Sequence, residues 1–495
     1  MTRTGRARRA ITVCVAVVVL VGVFPSTAVA RPAAGRQATQ ERLHWRRCGG
    51  HAECARLRVP LDDAVPGGPT IRLALARVRA RDPKRRIGSL VVNPGGPGVS
   101  GVDFALDAAS VLPRAIRDRF DIVGFDPRGV GRSAPVDCTE RLDPYYALDF
   151  APADDTTRAA LVEGNRALVK QCEKRDGRLL PYVSTRRSAR DLDRIRAALG
   201  EGKLTYLGYS YGTYLGASYA DQFPSHVRAF VLDGPVDPGL DASDTQVEQA
   251  VGFEHALQLF LDDCAKRRSC AFHRGGDPAG AYDRLRARVA RAPLPAHGAG
   301  GGRTLNGTTF DIGVTQLLYD GHDGWPTLAH DLEAAYDGDG SNLLADSDLY
   351  TGRSDNGRYD DIQEAFLAIG CLDGPDVGGL DGLRVIEERA AQEAPRLGRT
   401  IVNSSLPCAM WPVPAQPAPV PHAAGAAPIL VLGTRDDPAT PITWAHGLAS
   451  ELESATLVTV RGERHTAFAA GNECVDALVT RYLVHLDVPR GGTGC

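Results

Sequence analysis

The sequence predicts an α/β fold in which helices cover both faces of a mostly parallel sheet. Three observations support it. The apolar segments are short continuous runs, as buried parallel strands require. Helix-like stretches lie between several of these runs. A long segment without strand signals then interrupts the series before strand signals return, which predicts a mainly helical cap inserted between two parts of one sheet.

Six segments are predicted strands because each is short, apolar and followed by turn residues. In chain order they are Ser89–Asn93, Asp121–Phe125, Leu204–Gly208, Val227–Leu232, Ile429–Leu432 and Thr456–Val460. The predicted helices are Ser188–Leu199, Tyr214–Asp221, Val247–Asp263, Ala279–Arg291, Val314–Leu318 and Ile362–Ile369. We therefore expect a core made of residues 42–239 and 423–495, with residues 240–422 forming the cap.

Composition sets the broad class of protein. The 495 residues are 43% hydrophobic and 24% charged, which is ordinary for a globular chain and excludes a disordered or multi-span membrane protein. The formal net charge of −3 excludes a strongly basic nucleic-acid binder. We expect a monomer with no nucleic-acid partner.

Residues 1–30 have the pattern of a secretory signal peptide. Four arginines precede an apolar run from Ile11 to Phe24, and the small residues Ala28-Val29-Ala30 follow. The run is short for a membrane span, and no later stretch approaches the required length of about 18 apolar residues. We expect cleavage after Ala30, secretion, and a loose leader at residues 31–41. Cleavage removes four basic residues and no acidic ones, so the net charge of −3 becomes −7.

The cysteine count indicates disulfides. Of eleven cysteines, Cys14 lies in the signal segment, which leaves an even ten in an oxidising compartment. The sequence alone does not fix their connectivity. Pairing neighbours along the chain predicts Cys48–Cys54, Cys138–Cys172, Cys264–Cys270, Cys371–Cys408 and Cys474–Cys495. No C-x-x-C pair supports zinc, and we expect neither a metal nor a cofactor.

A G-x-S-x-G motif at Gly208–Gly212 supplies the candidate nucleophile, Ser210. The pattern alone is weak in a chain with 54 glycines. Here, however, it follows a predicted strand and precedes a predicted helix, which is the context that a nucleophile elbow requires. We expect Ser210 to project from a sharp turn at the end of its strand.

A serine nucleophile needs a histidine base and a carboxylate to orient that base, here in the chain order Ser, Asp, His. The strand Ile429–Leu432 leads into a loop with two candidate acids, Asp436 and Asp437. We favour Asp437 because the proline after it restricts the backbone. The next strand leads to His465, the candidate base.

Acyl transfer also needs backbone N–H donors for the oxyanion. Tyr211 follows the nucleophile and supplies one N–H, and the glycine-rich loop Asn93–Gly98 supplies the other, with Gly96 preferred. The overlapping segment Gly96–Gly101 also fits G-x-G-x-x-G, with Asp126 near the place of a ribose-binding acid. That reading is disfavoured because Pro97 lacks an N–H and a secreted protein has no dinucleotide supply.

Five motifs occur in order along nearly the whole chain. They are Asn93–Gly98, Gly124–Ser133, Gly208–Gly212, Asp437–Pro441 and His465–Phe468. Together they resemble the secreted tripeptidyl aminopeptidases of actinobacteria, which are α/β-hydrolase serine peptidases related to proline iminopeptidases. The resemblance implies an α/β-hydrolase fold and a TAP-like C-terminal segment. It also implies Ser210 as nucleophile, Asp437 as acid, His465 as base, and removal of short peptides from free N-termini.

Two questions stay open at this point. An aminopeptidase must bind an ammonium group, and the candidate cap carboxylates are Glu254, Asp373, Asp241 and Asp244, with none preferred. The alternative activity is that of an esterase or lipase-like hydrolase, since the same triad cleaves amides and esters. A non-catalytic binding protein on the same fold is a third possibility, which the complete Ser–Asp–His set disfavours.

Overall fold

A computed structural model describes residues 43–495. The predicted signal peptide and leader lie outside these residues. The strands are β1 (Arg46–Gly49), β2 (Ala52–Pro60), β3 (Thr70–Val78), β4 (Gly88–Asn93), β5 (Phe120–Phe125), β6 (Leu204–Tyr209), β7 (Val227–Asp233), β8 (Leu294–Pro295), β9 (Thr304–Leu305), β10 (Ile429–Thr434) and β11 (Ala455–Val460).

Nine of these strands form one sheet in the order β1-β2-β3-β5-β4-β6-β7-β10-β11. The six strands from β5 to β11 in that order run parallel, and β1, β2 and β3 extend the sheet in antiparallel fashion. The predicted mostly parallel α/β sheet is confirmed, and all six predicted strands are present. Strands β8 and β9 form a separate small hairpin.

The helices are α1 (Gly101–Val111), α2 (Arg114–Arg119), α3 (Asp143–Tyr146), α4 (Asp155–Asp176), α5 (Thr185–Ala198), α6 (Tyr211–Gln222), α7 (Ala242–Lys266), α8 (Pro278–Arg291), α9 (Gly307–Leu318), α10 (Trp325–Tyr336), α11 (Ser341–Thr351), α12 (Ile362–Asp373), α13 (Gly379–Glu393), α14 (Gly398–Asn403), α15 (Ile442–Glu451) and α16 (Glu473–His485). Buried side chains of α5, α6 and α15 pack with the sheet in one cluster. Those of α1, α2 and α16 pack with it in another. Helices therefore cover both faces, as predicted.

Helices α7 to α14 lie in the chain between β7 and β10, and a second segment packs with them. Helices α3 and α4, which precede β6, share a buried cluster with α7, α12 and α13. Tyr145, Phe150 and Leu168 belong to this cluster. The sequence analysis placed residues 134–183 in the core and did not anticipate that they pack against α7, α12 and α13, which it placed in the predicted cap.

The ten cysteines of residues 43–495 form the five predicted disulfides: Cys48–Cys54, Cys138–Cys172, Cys264–Cys270, Cys371–Cys408 and Cys474–Cys495. Two of them, Cys138–Cys172 and Cys371–Cys408, join residues that are 34 and 37 positions apart in the chain. Among residues 43–495, none of the helices has the length and apolar character needed to cross a membrane.

Candidate active site

Ser210 occupies a sharp turn between β6 and α6. Its backbone has φ 53° and ψ −127°, a conformation that costs energy in any residue with a side chain. Gly208 permits the turn, because a Cβ there would collide with the carbonyl oxygen of Gly212. The Ser210 N–H donates to the Asp233 carbonyl at 2.9 Å. The predicted elbow is present, and it places Ser210 at the carboxyl edge of the sheet.

Asp437 and His465 are brought together at the same edge. The Nδ1 atom of His465 lies 2.8 and 2.9 Å from the two carboxylate oxygens of Asp437. Asp437 is only 3% exposed, and it also accepts hydrogen bonds from the N–H groups of Ala439 and Thr440 and from the Thr440 hydroxyl. Asp436 instead faces His255, at 3.2 Å. Of the two candidate acids, Asp437 therefore contacts the histidine.

The charge of Asp437 changes the proton affinity of His465. Burial lowers the pKa of His465, but the neighbouring carboxylate and its hydrogen bond more than offset this, so the net pKa is raised above its usual value. Asp233 adds to the rise. The opposite ring atom, Nε2, is buried and has no hydrogen-bond partner among residues 43–495.

The turn at Asp233 and Gly234 joins Ser210 to His465. The Asp233 carbonyl accepts from Ser210, and a Cβ on the next residue, Gly234, would lie 3.0 Å from the His465 ring atom Cε1. Ser210 and His465 therefore contact neighbouring residues of one turn. The free Nε2 leaves a proton acceptor on the side of the imidazole away from Asp437.

Asp233 was missed by the sequence analysis. Its buried carboxylate accepts from the Ala467 N–H at 2.9 Å and from the Phe468 N–H at 2.7 Å, which fixes the loop just after His465. Burial raises the pKa of Asp233 to about 7, against the lowering effect of these N–H groups. The sequence did contain a signal for this residue, because Asp233 is an acid at the end of a predicted buried strand, directly before the turn Gly234-Pro235.

The loop after β4 approaches the elbow closely. A Cβ on Gly95, which has φ 99°, would lie 2.9 Å from the Ser210 Cβ. The Gly95 N–H donates to the Asn93 side chain at 3.0 Å, and Pro97 has none. The N–H groups of Gly96 and Gly98 have no acceptor among residues 43–495, so both remain available, and Gly96 stays the preferred donor as a prediction. The first turn of α6 likewise leaves the Tyr211 N–H without an intrahelical acceptor.

The geometry does not support the alternative interpretation of Gly96–Gly101 as a dinucleotide-binding loop. The Asp126 carboxylate accepts from the Ser100 hydroxyl at 2.7 Å and from the N–H groups of Val102 and Arg132 at 3.0 and 2.8 Å. It is 0% exposed. Asp126 therefore holds the loops around it together and faces no open ribose site.

The four proposed amine-binding carboxylates all have internal partners. Glu254 pairs with Arg396 at 3.2 Å, and Asp244 pairs with Arg389 at 2.7 Å. Asp241 caps α7 through the Asp244 N–H. Asp373 accepts from the Thr185 hydroxyl at 2.6 Å and from its N–H, and burial raises the pKa of Asp373 to about 7.

A cavity of about 90 Å³ is lined by residues of α3, α4, α7, α9, α12 and α14. Aromatic side chains form much of its wall, and one of them, Tyr319, also packs edge-on against the His465 ring at a centroid distance of 5.4 Å. The Tyr319 carbonyl accepts from the His465 N–H at 2.9 Å. Glu364 is the one charged residue among those that line the cavity.

Within residues 43–495, His, Cys, Asp and Glu side chains do not converge in groups of three or more that could hold a metal ion. His322, which the sequence places in an Asp-Gly-His-Asp run, packs against Trp325 at a ring distance of 4.7 Å.

Two family models match the chain. The alpha/beta hydrolase fold model covers residues 88–295, and the TAP-like protein model covers residues 394–495. The chain is 39% identical to Serine protease Hip1 of Mycobacterium tuberculosis, over 90% of this chain and 88% of that protein. It is 38% identical to Carboxylesterase B of the same species, over 90% and 86%. It is 33% identical to Tripeptidyl aminopeptidase of Streptomyces coelicolor, over 91% and 85%.

Proposed function

The chain belongs to the α/β-hydrolase family that includes Serine protease Hip1 and the Streptomyces tripeptidyl aminopeptidases, and on this premise we propose that it is a serine exopeptidase. It releases short peptides, with tripeptides as the expected product, from free N-termini. The observation that carries the proposal is the Asp437–His465 pair beside the Ser210 elbow, with Nε2 of the histidine left free.

In the proposed mechanism Ser210 attacks the scissile carbonyl while His465 takes its proton through Nε2. Asp437 holds the imidazole with Nδ1 protonated and stabilises the imidazolium that forms. The N–H groups of Gly96 and Tyr211 bind the oxyanion of the tetrahedral intermediate. His465 then returns the proton to the leaving amine, and water hydrolyses the acyl-enzyme by the same steps. These roles need only side chains and backbone of this chain.

The preference for a free N-terminus is tested with matched peptide p-nitroanilides that differ only by N-acetylation. We expect the free-amine substrate to be hydrolysed with a kcat/KM at least about tenfold higher, as one charge-assisted contact would give. Mass spectrometry of longer peptides gives the number of residues released per cut. Equal or faster hydrolysis of the acetylated substrate would contradict an exopeptidase.

The raised pKa of His465 predicts the acid limb of the pH profile. The base works only when neutral, so kcat/KM falls as the pH drops through the pKa of His465. Because that pKa is raised, we expect the midpoint above the ordinary histidine value of about 6.5. The Asp437→Asn variant, which loses the neighbouring charge, should have a lower midpoint in addition to a lower rate. A wild-type midpoint at or below about 6.5 would refute this electrostatic account.

An esterase is the second candidate, favoured by the similarity to Carboxylesterase B and by the aromatic wall of the cap cavity. The two activities share the triad and differ in the leaving group. Comparing p-nitrophenyl esters with p-nitroanilides of one acyl group separates them.

We also propose that the protein is secreted and that residues 240–422 form the cap that selects the substrate. The five disulfides are compatible with an oxidising compartment, and residues 1–30 have the signal-peptide pattern described above. N-terminal sequencing of the protein recovered from culture medium tests cleavage after Ala30.

A further inference from the structure

Glu364 is a buried carboxyl group that has no counter-ion among the described residues. It lies in the first turn of α12, is 2% exposed, and its Oε2 atom has no hydrogen-bond partner among residues 43–495. Buried charges in proteins are normally paired, because an isolated charge is costly to remove from water. A carboxyl that lines a cavity can avoid this cost by staying protonated, and a cation from outside the chain would instead stabilise its charged form.

Other buried glutamates of the cap show the ordinary arrangement. Glu387 pairs with Arg158 at 2.6 Å and with Arg399 at 2.7 Å, and Glu254 pairs with Arg396. Within the part of the chain that the structure describes, the Oε2 atom of Glu364 has neither an ion pair nor a hydrogen bond. Burial first, and then the nearby charges of Asp137 and Asp361, raise the pKa of Glu364 to about 8, against the lowering effect of the backbone N–H groups of Glu364 itself and of Thr139. A cation in the cavity would offset both the cost of burying the charge and its repulsion by Asp137 and Asp361.

The helix that carries Glu364 begins at the candidate active site. The carbonyl of Ile362, the first residue of α12, lies against Gly98 of the oxyanion loop. The preceding residue, Asp361, accepts from the Gly131 N–H at 2.6 Å. Glu364 is thus two residues along the chain from a residue that touches the oxyanion loop.

The far wall of the cavity contacts the other catalytic loops. Tyr319 lines the cavity and packs against His465, and Gln249 lines it and donates to the Ala439 carbonyl at 2.9 Å, beside Asp437. One layer of side chains therefore separates the cavity from the acid and base. For the acyl portion of a substrate held at Ser210 to reach this space, the layer that contains Tyr319 and Gln249 must open.

We propose that Glu364 binds a single ammonium group of the substrate inside this aromatic cavity. The proposal rests on the proposed function and adds the residue that recognises the acyl portion. Tyrosine and phenylalanine rings around the carboxylate suit an ammonium ion, which they attract through their faces. The cation has two possible sources, the α-ammonium of a free N-terminus or the side chain of a lysine near it.

The test compares substrates within one variant, so that a change in the folded fraction cancels. Three acyl groups are used: a tripeptide with a free N-terminus, its N-acetyl form, and an N-acetyl tripeptide containing lysine. Each is made as the p-nitroanilide and as the p-nitrophenyl ester. The variants are Glu364→Gln and, as a matched control, Glu388→Gln, which removes an exposed cap carboxylate paired only with Arg384 at the surface.

For an α-ammonium source we expect Glu364→Gln to lower kcat/KM at least tenfold for the free-amine substrate, mainly through KM, and less than twofold for the acetylated one. For a lysine source the loss falls on the acetylated lysine substrate alone. Glu388→Gln keeps the wild-type ratios. Wild-type ratios in Glu364→Gln for all three acyl groups would overturn the proposal.

Failure of the proposed function gives a different result. If the wild type hydrolyses the esters and none of the anilides, the exopeptidase assignment fails. The ratio of free-amine to acetylated ester then still measures what Glu364 recognises, so the two hypotheses are decided separately.

Discussion

Replacing Ser210 by alanine lowers kcat by about 10⁴-fold or more, because no other group can form the acyl-enzyme. His465 Nε2 then has no hydroxyl to deprotonate, and only the oxyanion donors and substrate binding remain. The effect should appear almost entirely in kcat, since Ser210 contributes little to holding the ground-state substrate. Steady-state kinetics on a free-amine peptide anilide measures it.

The fold should tolerate this change. Alanine already fits the backbone of Ser210, which holds a Cβ at φ 53°, so the thermal midpoint should stay near that of the wild type. A fluorophosphonate probe should label the wild type and the control Ser225→Ala, whose serine is exposed, but not Ser210→Ala. Near-wild-type activity, or continued labelling, in Ser210→Ala would eliminate Ser210 as the nucleophile.

The geometry of the candidate triad follows from patterns that the sequence carries locally. Ser210, Asp437 and His465 each come just after a short apolar run that forms a parallel strand. The carboxyl ends of parallel strands meet at one edge of the sheet, so residues far apart in the chain are placed together by topology alone. The run lengths gave the strand ends to within two residues, which suffices to choose the loops.

The antiparallel edge of the sheet was missed for a physical reason. Strand β2 alternates between buried apolar and exposed arginine side chains, for example Leu57, Arg58 and Val59, whereas β3 has only the four-residue buried run Leu73–Ala76 between Arg72 and Arg77. Such alternation is expected where one face of an antiparallel strand meets solvent. A search for continuous apolar runs passes over it.

Glu364 could not be found from local pattern either. In the sequence it is one acid among 60 Asp and Glu residues, at the start of a predicted helix. Its proposed role depends on the absence of a counter-ion among residues 43–495 and on the side chains of α3, α4 and α9 that line the cavity with it. Whether a buried acid has a counter-ion depends on residues that are distant in the chain, and these contacts cannot be predicted from local sequence patterns.

The largest expected effect on stability comes from Arg128, in the loop after β5. Its side chain is 1% exposed and forms two hydrogen bonds with Asp191 of α5, at 2.8 and 3.0 Å. It also donates to the carbonyls of Pro60, Leu61 and Tyr182, all within 3.1 Å. One guanidinium therefore joins β5, the end of β2 and the start of α5.

We expect Arg128→Met to lower the free energy of unfolding by about 3–5 kcal/mol, because it leaves the buried Asp191 with only its contact to Arg194, at 3.2 Å, and leaves three carbonyls without donors. Denaturant unfolding followed by circular dichroism measures this.

Three further variants separate the contributions of the ion pair and of the carbonyl contacts. Asp191→Asn should cost less, since it leaves the carbonyl bonds intact. Arg128→Lys should be intermediate, because a lysine keeps the charge but cannot reach all four partners. The double variant Arg128→Met with Asp191→Leu should recover only part of the loss, since the carbonyls stay unpaired. An unfolding midpoint of Arg128→Met equal to that of the wild type would show that the buried pair contributes nothing to stability, even though it joins three segments of the core.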